Sequence, residues 1–426
     1  MEIFCRNLKI TDSRFYAFKI LKRIIYEGAY LHLVTRNVNL GERDRAFFKL
    51  IVNSVLKSGY KLFERLSKEK LSQSEIVALL MAFVELKILK KERHIVFSQY
   101  GSIKQKDFNR KRFFKLLTKL ENEVDLIKEE VSLPNFILRH IVESQLSMNN
   151  MKNFLSSPLT GFFVLLDKKE VLSAINSLSS KLYPGKIFKN YYYTDSLSEI
   201  LKNLPGDSYL IISESSMLSV LLLDPRPGEK IIEVGASPGG KSVFLEYILK
   251  NYNSDLKKIE KVISVDISEN RISALKKTCE KYNLSLITPT LFNDNLSFDI
   301  SDKILIDAPC SGLSKIRSKP DIIFHLKEND IELLSKKQEA ILDFYKNFVK
   351  VKGRIVYSVC TFTAIEGKIQ VEKFLQKNKN FRLFEGLLSS KYLKQDLFVK
   401  NGVIDVELST LSLEPFFICC LEKIYD

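Results

Sequence analysis

From Pro205 onward, short and mostly apolar runs alternate with helical patterns, and this constrains the fold more than any other feature of the sequence. Lys230–Val234, Lys261–Val265, Leu284–Pro289, Ile304–Ile306 and Arg354–Tyr357 have the length and content of strands. Between them, Lys241–Lys250, Glu269–Lys281 and Asp330–Lys350 carry apolar residues at helical spacing. Strands apolar on both faces, separated by helices, predict a mostly parallel sheet covered on each side. Such α/β sheets bind ligands beyond the carboxyl ends of their strands. Chemistry is therefore expected just after each strand.

The first of these strands runs into Gly235-Ala236-Ser237-Pro238-Gly239-Gly240-Lys241 and then a helix. Small residues let the backbone approach a ligand, and a helix start offers unpaired N–H groups. This is a generic nucleotide loop, without a GxGxxG or Walker pattern, and a tight strand-to-helix turn would read the same way. The second strand leads to Asp266, placed to accept hydrogen bonds from the ribose hydroxyls of an adenosine cofactor. Its competing role, capping the helix that begins near Glu269, suits Ser268 better. After the third strand, Phe292-Asn293-Asp294 supplies polar groups for an adenine edge, with Asp294 preferred. The fourth delivers Asp307-Ala308-Pro309-Cys310-Ser311-Gly312 and the fifth Tyr357-Ser358-Val359-Cys360-Thr361. A single buried cysteine is usually structural. Two cysteines, each just beyond its own strand, would project into one crevice.

Residues 13–121 read as wholly helical, with no proline before Pro134; the stretch Val77–Leu89, although it holds Glu85 and Lys87, reads as a core helix too short to span a bilayer. This part is also basic. Residues 1–125 hold 26 Lys and Arg against 14 Asp and Glu, a surplus of 12, whereas the rest hold 40 against 37, a surplus of 3. A basic third on a near-neutral remainder suits a polyanion, nucleic acid above all, although a lysine-rich solvated surface has the same composition. Residues 126–207 read as a small α/β connecting region, with a helix over Pro134–Ser147 and strands near Gly161–Leu166 and Tyr191–Tyr193, and 208–426 as the α/β part. The six cysteines form no CxxC pair and the four histidines are scattered, so no zinc site and no metal is expected. Few, irregular cysteines in a chain of this size, with no apolar leader over Met1–Lys9, predict a reducing cytoplasm and no membrane. No coiled-coil stripe is visible, and a monomer is expected.

At its strand ends the sequence resembles the Sun/Fmu-type family of RNA cytosine-5 methyltransferases. That family's AAPGGKT corresponds to Ala236–Ser242, its DAPCSG to 307–312 without change, and its YSTC to Tyr357, Ser358, Val359 and Cys360. Its Arg-x-x-Pro-Asp-Ile matches Arg317, Pro320, Asp321 and Ile322, and its final Phe-Phe matches Phe416 and Phe417 behind Pro415 rather than glycine. Glu42-Arg43-Asp44-Arg45-Ala46-Phe47, with a helix ending near Gly59, resembles the NusB-like helical RNA-binding module of the branch acting on bacterial 16S ribosomal RNA. A second acidic helix start expected there is replaced by Phe97-Ser98-Gln99. Other departures are Ile212-Ser213 for a Gln-Asp pair, Ser237 for alanine, and Ala364-Ile365-Glu366-Gly367-Lys368 for an acidic PEENE-like run.

The resemblance implies an α-helical NusB-like module, a small α/β linker and a Rossmann-like catalytic part dependent on S-adenosylmethionine. It implies that Cys360 attacks cytosine carbon 6, that Cys310 aids proton removal and release, and that Asp307 and Lys241 act on the base or the thiols. It implies cofactor contacts from the loop 235–241, Asp266, Asp294 and Asp307, and small-subunit ribosomal RNA as partner. Two other readings stand beside it: an inactive RNA-binding ribosome-assembly factor on a relic fold, and the same chemistry on transfer RNA.

Overall fold

The computed structural model describes residues 11–36, 38–103, 105–122, 132–144, 159–165, 169–178, 181–252, 260–293, 296–404 and 414–426. The chain divides into two compact units, Met1–Val142 with Lys315–Lys327, and Glu143–Ser314 with Glu328–Asp426.

The first unit is helical, as its apolar spacing predicts. At its centre lies Gln73–Lys87, whose residues from Ser74 to Glu85 are all buried. A helix apolar on every side belongs inside a core, and this one is surrounded by Asp12–Glu27, Glu42–Ser58 and Arg110–Asn122. Its start is fixed by a capping box: Ser72 Oγ accepts from the Glu75 amide and Glu75 Oε2 from the Ser72 amide, at 3.1 and 2.8 Å. Glu85, the charge inside the apolar run, is paired with Arg14 at 2.6 Å and accepts from Tyr100 Oη at 2.5 Å. The helix Glu42–Ser58 begins at the charged run of the motif and stops before Gly59.

Lys315–Lys327 completes this unit. Its short helix Ile322–His325 sets the Phe324 ring 5.6 Å from that of Tyr60 and 5.4 Å from that of Phe63. Asp321 Oδ2 accepts from the Leu31 amide at 3.1 Å, and His325 Nε2 donates to the Ile24 carbonyl at 2.9 Å.

The second unit holds two sheets. The smaller contains β1 (Thr160–Val164), β2 (Tyr183–Pro184), β3 (Tyr191–Thr194) and β4 (Tyr209–Leu210), in the order β2-β3-β1-β4. The larger contains β5 (Ile231–Val234), β6 (Val262–Asp266), β7 (Ile287–Leu291), β8 (Ser301–Asp307), β9 (Val349–Val359), β10 (Phe381–Leu383), β11 (Gly386–Leu388), β12 (Leu397–Lys400), β13 (Val403–Ile404) and β14 (Phe417–Lys423). Its order is β11-β12-β13-β14-β9-β8-β5-β6-β7, with β10 also on β14. Strands β5 to β9 are mutually parallel and β14 runs against β9.

Both faces are covered, as the apolar strands require. Ile231, Leu305 and Val356 pack with the helices Glu214–Leu223 and Gly240–Lys250; their neighbours Ile232, Ile304, Ile306 and Tyr357 pack on the other side with Glu328–Tyr345 and Lys368–Lys377. The departure at 212–213 leaves local structure intact, because Ser213 caps Glu214–Leu223 by accepting from the Ser216 amide. Glu214 is buried and accepts from the amides of Lys186, Ile187 and Phe188 and from Tyr193 Oη, which ties the small sheet to this helix.

Two expectations need correction. The helix expected over Asp330–Lys350 ends at Tyr345, and β9 already begins at Val349; the apolar residues Phe344, Tyr345, Phe348 and Val349 keep a helical spacing across the change. The antiparallel extension β10 to β13 was not expected, because its strands are only two to four residues long. Among the described residues no helix is long and apolar enough to cross a membrane.

Candidate functional site

The order of the parallel strands reverses at β5, which has β6 on one side and β8 on the other. At such a switch point the connecting chains leave in opposite directions and open a crevice beyond the strand ends. The sequence-predicted residues lie around it. Gly235 and Ala236 follow β5, Asp266 ends β6, Asp307 ends β8, and Cys360 follows β9. Asp294 lies outside the described residues.

The loop after β5 must pass close to its neighbour. Gly235 has φ +74°, and a Cβ there would meet the Asp307 carbonyl oxygen at 2.2 Å. Gly239 has φ +106°, with Leu275 and Thr278 2.9 Å from the position of its missing Cβ. Both are conformations for which glycine carries no Cβ penalty. Asp266 is 4% exposed. Its Oδ2 accepts from the Ser237 amide at 3.1 Å, and its Oδ1 from the Ile267 amide and Arg271 Nε at 2.9 and 2.8 Å. Arg271 also donates to the Ser237 carbonyl at 3.0 Å, so it laces the loop to the acid. Ser268 occupies the N-cap position of Glu269–Tyr282 without a side-chain cap bond.

Lys241, the first-turn residue of the helix after the loop, is buried and reaches Asp307 Oδ2 at 2.5 Å. Its ammonium lies 5.6 Å from the Phe416 ring centre. Beyond β8 and β9 the two cysteines meet: Cys310 Sγ and Cys360 Sγ are 3.2 Å apart. The hydrogen bond with Cys360 is the largest cause lifting the Cys310 thiol well above its usual range, followed by burial and by the charges of Cys360, Glu366 and Asp307. Cys310 therefore holds its proton in the free protein.

Sequence reasoning missed three acids or amides that shape this site. Glu233, inside β5, is fully buried and pushed up to about 7 by burial, despite hydrogen bonds from Ser264 and Ser242 at 2.6 and 2.7 Å and the nearby Lys241. Among the described residues its Oε1 has no hydrogen-bond partner. The only signal was an acid in an otherwise apolar strand. Glu366 and Gln338 are fully buried behind the cysteines. Glu366 is the acid that survives in the altered run after Cys360, and Gln338 lies mid-helix with no local signal. Among the described residues no group of three or more His, Cys, Asp or Glu could hold a metal ion.

The sheet order, the reversed β14, the small-residue loop after β5 and the acid ending β6 define a Rossmann-like methyltransferase fold. Residues 220–421 match the family described as 16S rRNA methyltransferase RsmB/F. The probable ribosomal RNA small subunit methyltransferase B of Bacillus subtilis is 31% identical over 218 residues, which is 50% of this chain and 47% of that protein. The ribosomal RNA small subunit methyltransferase B of Photorhabdus laumondii is 34% identical over 176 residues, 40% of this chain and 38% of that protein. The chain thus aligns with less than half the length of these relatives. Two solved structures share the fold. PH0851 aligns over 98% of this chain and 100% of its own with a TM-score of 0.74 at 19% identity. NSun6 from Pyrococcus horikoshii, solved with SFG, aligns over 69% and 99% with a TM-score of 0.54 at 17% identity.

Proposed function

We propose that the protein is an S-adenosylmethionine-dependent RNA cytosine-5 methyltransferase acting on small-subunit ribosomal RNA. One observation carries this reading: two thiols 3.2 Å apart, at the ends of adjacent parallel strands, beside the Lys241–Asp307 ion pair. In this reading residues 1–125 are a NusB-like RNA-binding module, 126–207 a connecting region and 208–426 the catalytic part. The basic surplus of residues 1–125 supports a grip on phosphates, with salt-sensitive affinity.

The residues at the switch point fit an adenosine cofactor. The loop 235–240 brings backbone close to the crevice, as its two positive-φ glycines require, and Asp266 stands at the end of β6 with Oδ2 accepting from the Ser237 amide. The loop and Lys241 would hold the amino-acid end and Asp266 the ribose. When bound, the cofactor supplies an electrophilic methyl group on a sulfonium.

Cytosine carbon 5 is weakly nucleophilic until a group adds to carbon 6. Cys360, its proton given up to water, adds there as a thiolate and forms a sulfur–carbon bond, and the electron pair displaced from the 5,6 double bond makes carbon 5 nucleophilic, which is covalent catalysis. Asp307, held by Lys241, faces the base edge and steadies the charge that develops at N3 and the amino group. Once carbon 5 carries the methyl group, its proton must leave. Cys310 takes it as a thiolate: once the Cys360 sulfur is bonded to carbon it no longer holds up the neighbouring thiol as it does in the free protein, and Cys310 gives its own proton to water before accepting the one from carbon 5. The electron pair of the carbon 5–hydrogen bond then re-forms the double bond and expels the Cys360 thiolate. The base must leave its stack to reach the crevice, so an opened or single-stranded stretch of RNA is the substrate.

The test is transfer of labelled methyl groups to unmodified small-subunit ribosomal RNA, followed by digestion to nucleosides. The expected product is 5-methylcytosine, absent with Cys360→Ala. Full transfer by Cys360→Ala would sink the assignment.

A further inference from the structure

The two cysteines are held by different means. Cys360 directly follows Val359, which pairs with Phe417 on β14, while Ser358 in the same strand pairs with Asp307 on β8. Its place is set by the sheet. Cys310 lies three residues beyond the end of β8, in the middle of a turn whose ends are tied to the β9 side by the Ala308 amide on the Ser358 carbonyl at 3.0 Å and the Ser314 amide on the Cys360 carbonyl at 3.2 Å. What fixes the middle of that turn is Glu366. Its Oε1 accepts from the Ser311 amide at 2.8 Å and from Gln338 Nε2 at 3.1 Å; its Oε2 accepts from Ser311 Oγ at 2.6 Å and Thr363 Oγ1 at 2.7 Å. Four hydrogen bonds are the full capacity of a carboxylate. Gln338 also donates to the Pro309 carbonyl at 2.9 Å, so the residues on both sides of Cys310 are tied to the same buried pair. The Glu366 carbonyl accepts from Tyr357 Oη at 2.6 Å, which anchors the clamp to β9 itself. Among the described residues no donor to this carboxylate is a lysine or arginine.

We infer that Glu366 is a positioning residue that fixes Cys310 against Cys360 and so governs release of the RNA adduct rather than its formation. The inference rests on the two-thiol reading above. Attack needs Cys360, which the sheet holds without Glu366. Release needs Cys310 at proton-transfer distance from carbon 5, and its turn loses the clamp when Glu366 cannot accept. Glutamine keeps the shape but replaces one acceptor oxygen by a donor, facing two hydroxyls that donate to Oε2. A displacement of the order of 1 Å at such a step slows it roughly 100-fold.

The experiment follows adduct formation and turnover separately, with full-length protein, S-adenosylmethionine and unmodified small-subunit ribosomal RNA. Adduct is read as a slow band on a denaturing gel, turnover as labelled 5-methylcytosine. Glu366→Gln should form adduct within about threefold of the wild-type rate, release it roughly 10-fold to 100-fold more slowly, and therefore accumulate it. Cys310→Ala should accumulate adduct as well, and adding Glu366→Gln to it should slow release no further. Thr363→Val, which removes one donor, should show the same split in smaller measure and serves if Glu366→Gln does not fold. Parallel losses of formation and turnover in the folded variants, or unchanged release, would overturn the inference alone. Absence of adduct in Cys310→Ala would instead overturn the two-thiol reading and the inference with it.

Discussion

Glu233 makes stability depend on pH in a way that can be worked out from its surroundings. It lies fully buried in β5, beneath the loop that begins at Gly235, with hydroxyl donors on Oε2 and, among the described residues, no donor on Oε1. Burial moves its carboxyl from 4.5 to about 7. At about 1.4 kcal/mol for each tenfold change in proton affinity, the charged form costs about 3 kcal/mol in the folded protein. The sign follows from linkage. Below pH 4.5 the group is protonated folded and unfolded, and no penalty exists. Between 4.5 and about 7 the unfolded chain releases the proton while the folded protein keeps it, so stability falls. Above about 7 both forms are charged and the whole penalty of about 3 kcal/mol is present. Glu233→Gln removes this titration. Urea unfolding of both proteins from pH 4.5 to 8.5 should show the variant gaining on the wild type across that window, by up to about 3 kcal/mol at the alkaline end. Parallel stability curves would show that Glu233 does not titrate in this range, and the burial argument would fail.

Three further outcomes can be checked directly. Arg14→Met should destabilise the protein by about 3–5 kcal/mol in thermal or urea unfolding, because it strands the buried Glu85 carboxylate, and adding Glu85→Leu should restore much of the loss. Ser213→Ala should cost about 1 kcal/mol by the same measurement, the value of one N-cap. Lys241→Met should lower methyl transfer on the order of 100-fold in a single-turnover assay while circular dichroism stays unchanged, since Asp307 loses its ion pair.

The site was legible where its signals are local. The loop 235–241, Asp266, Asp307, Cys310 and Cys360 all follow a strand, and each strand could be recognised by its own apolar run. What joins them could not be read in the same way. The partners of Glu366 come from 309–311, 338 and 357–363, and nothing at any of those positions points to the others. Arg271 was equally silent: an arginine in the first turn of a helix usually faces water, and only the fold brings it onto Asp266. The helices of the first unit were readable from their spacing, but the docking of Asp321 on Leu31 spans 290 residues of sequence. The strands β10 to β13 fell below the length at which alternation can be told from a loop.

The seating of Phe324 between Tyr60 and Phe63 bears on how the chain is born. Synthesis runs from the N-terminus, so the first helices leave the ribosome long before the residues that complete their packing. Until residue 327 has emerged, Tyr60 and Phe63 lack one aromatic neighbour, Leu31 lacks its carboxylate and Ile24 lacks its imidazole. The nascent helical unit therefore waits, unfinished, through the making of most of the α/β unit. Cutting the gene at residue 142 would yield an N-terminal fragment frozen in that waiting state, and no single cut can separate two whole units.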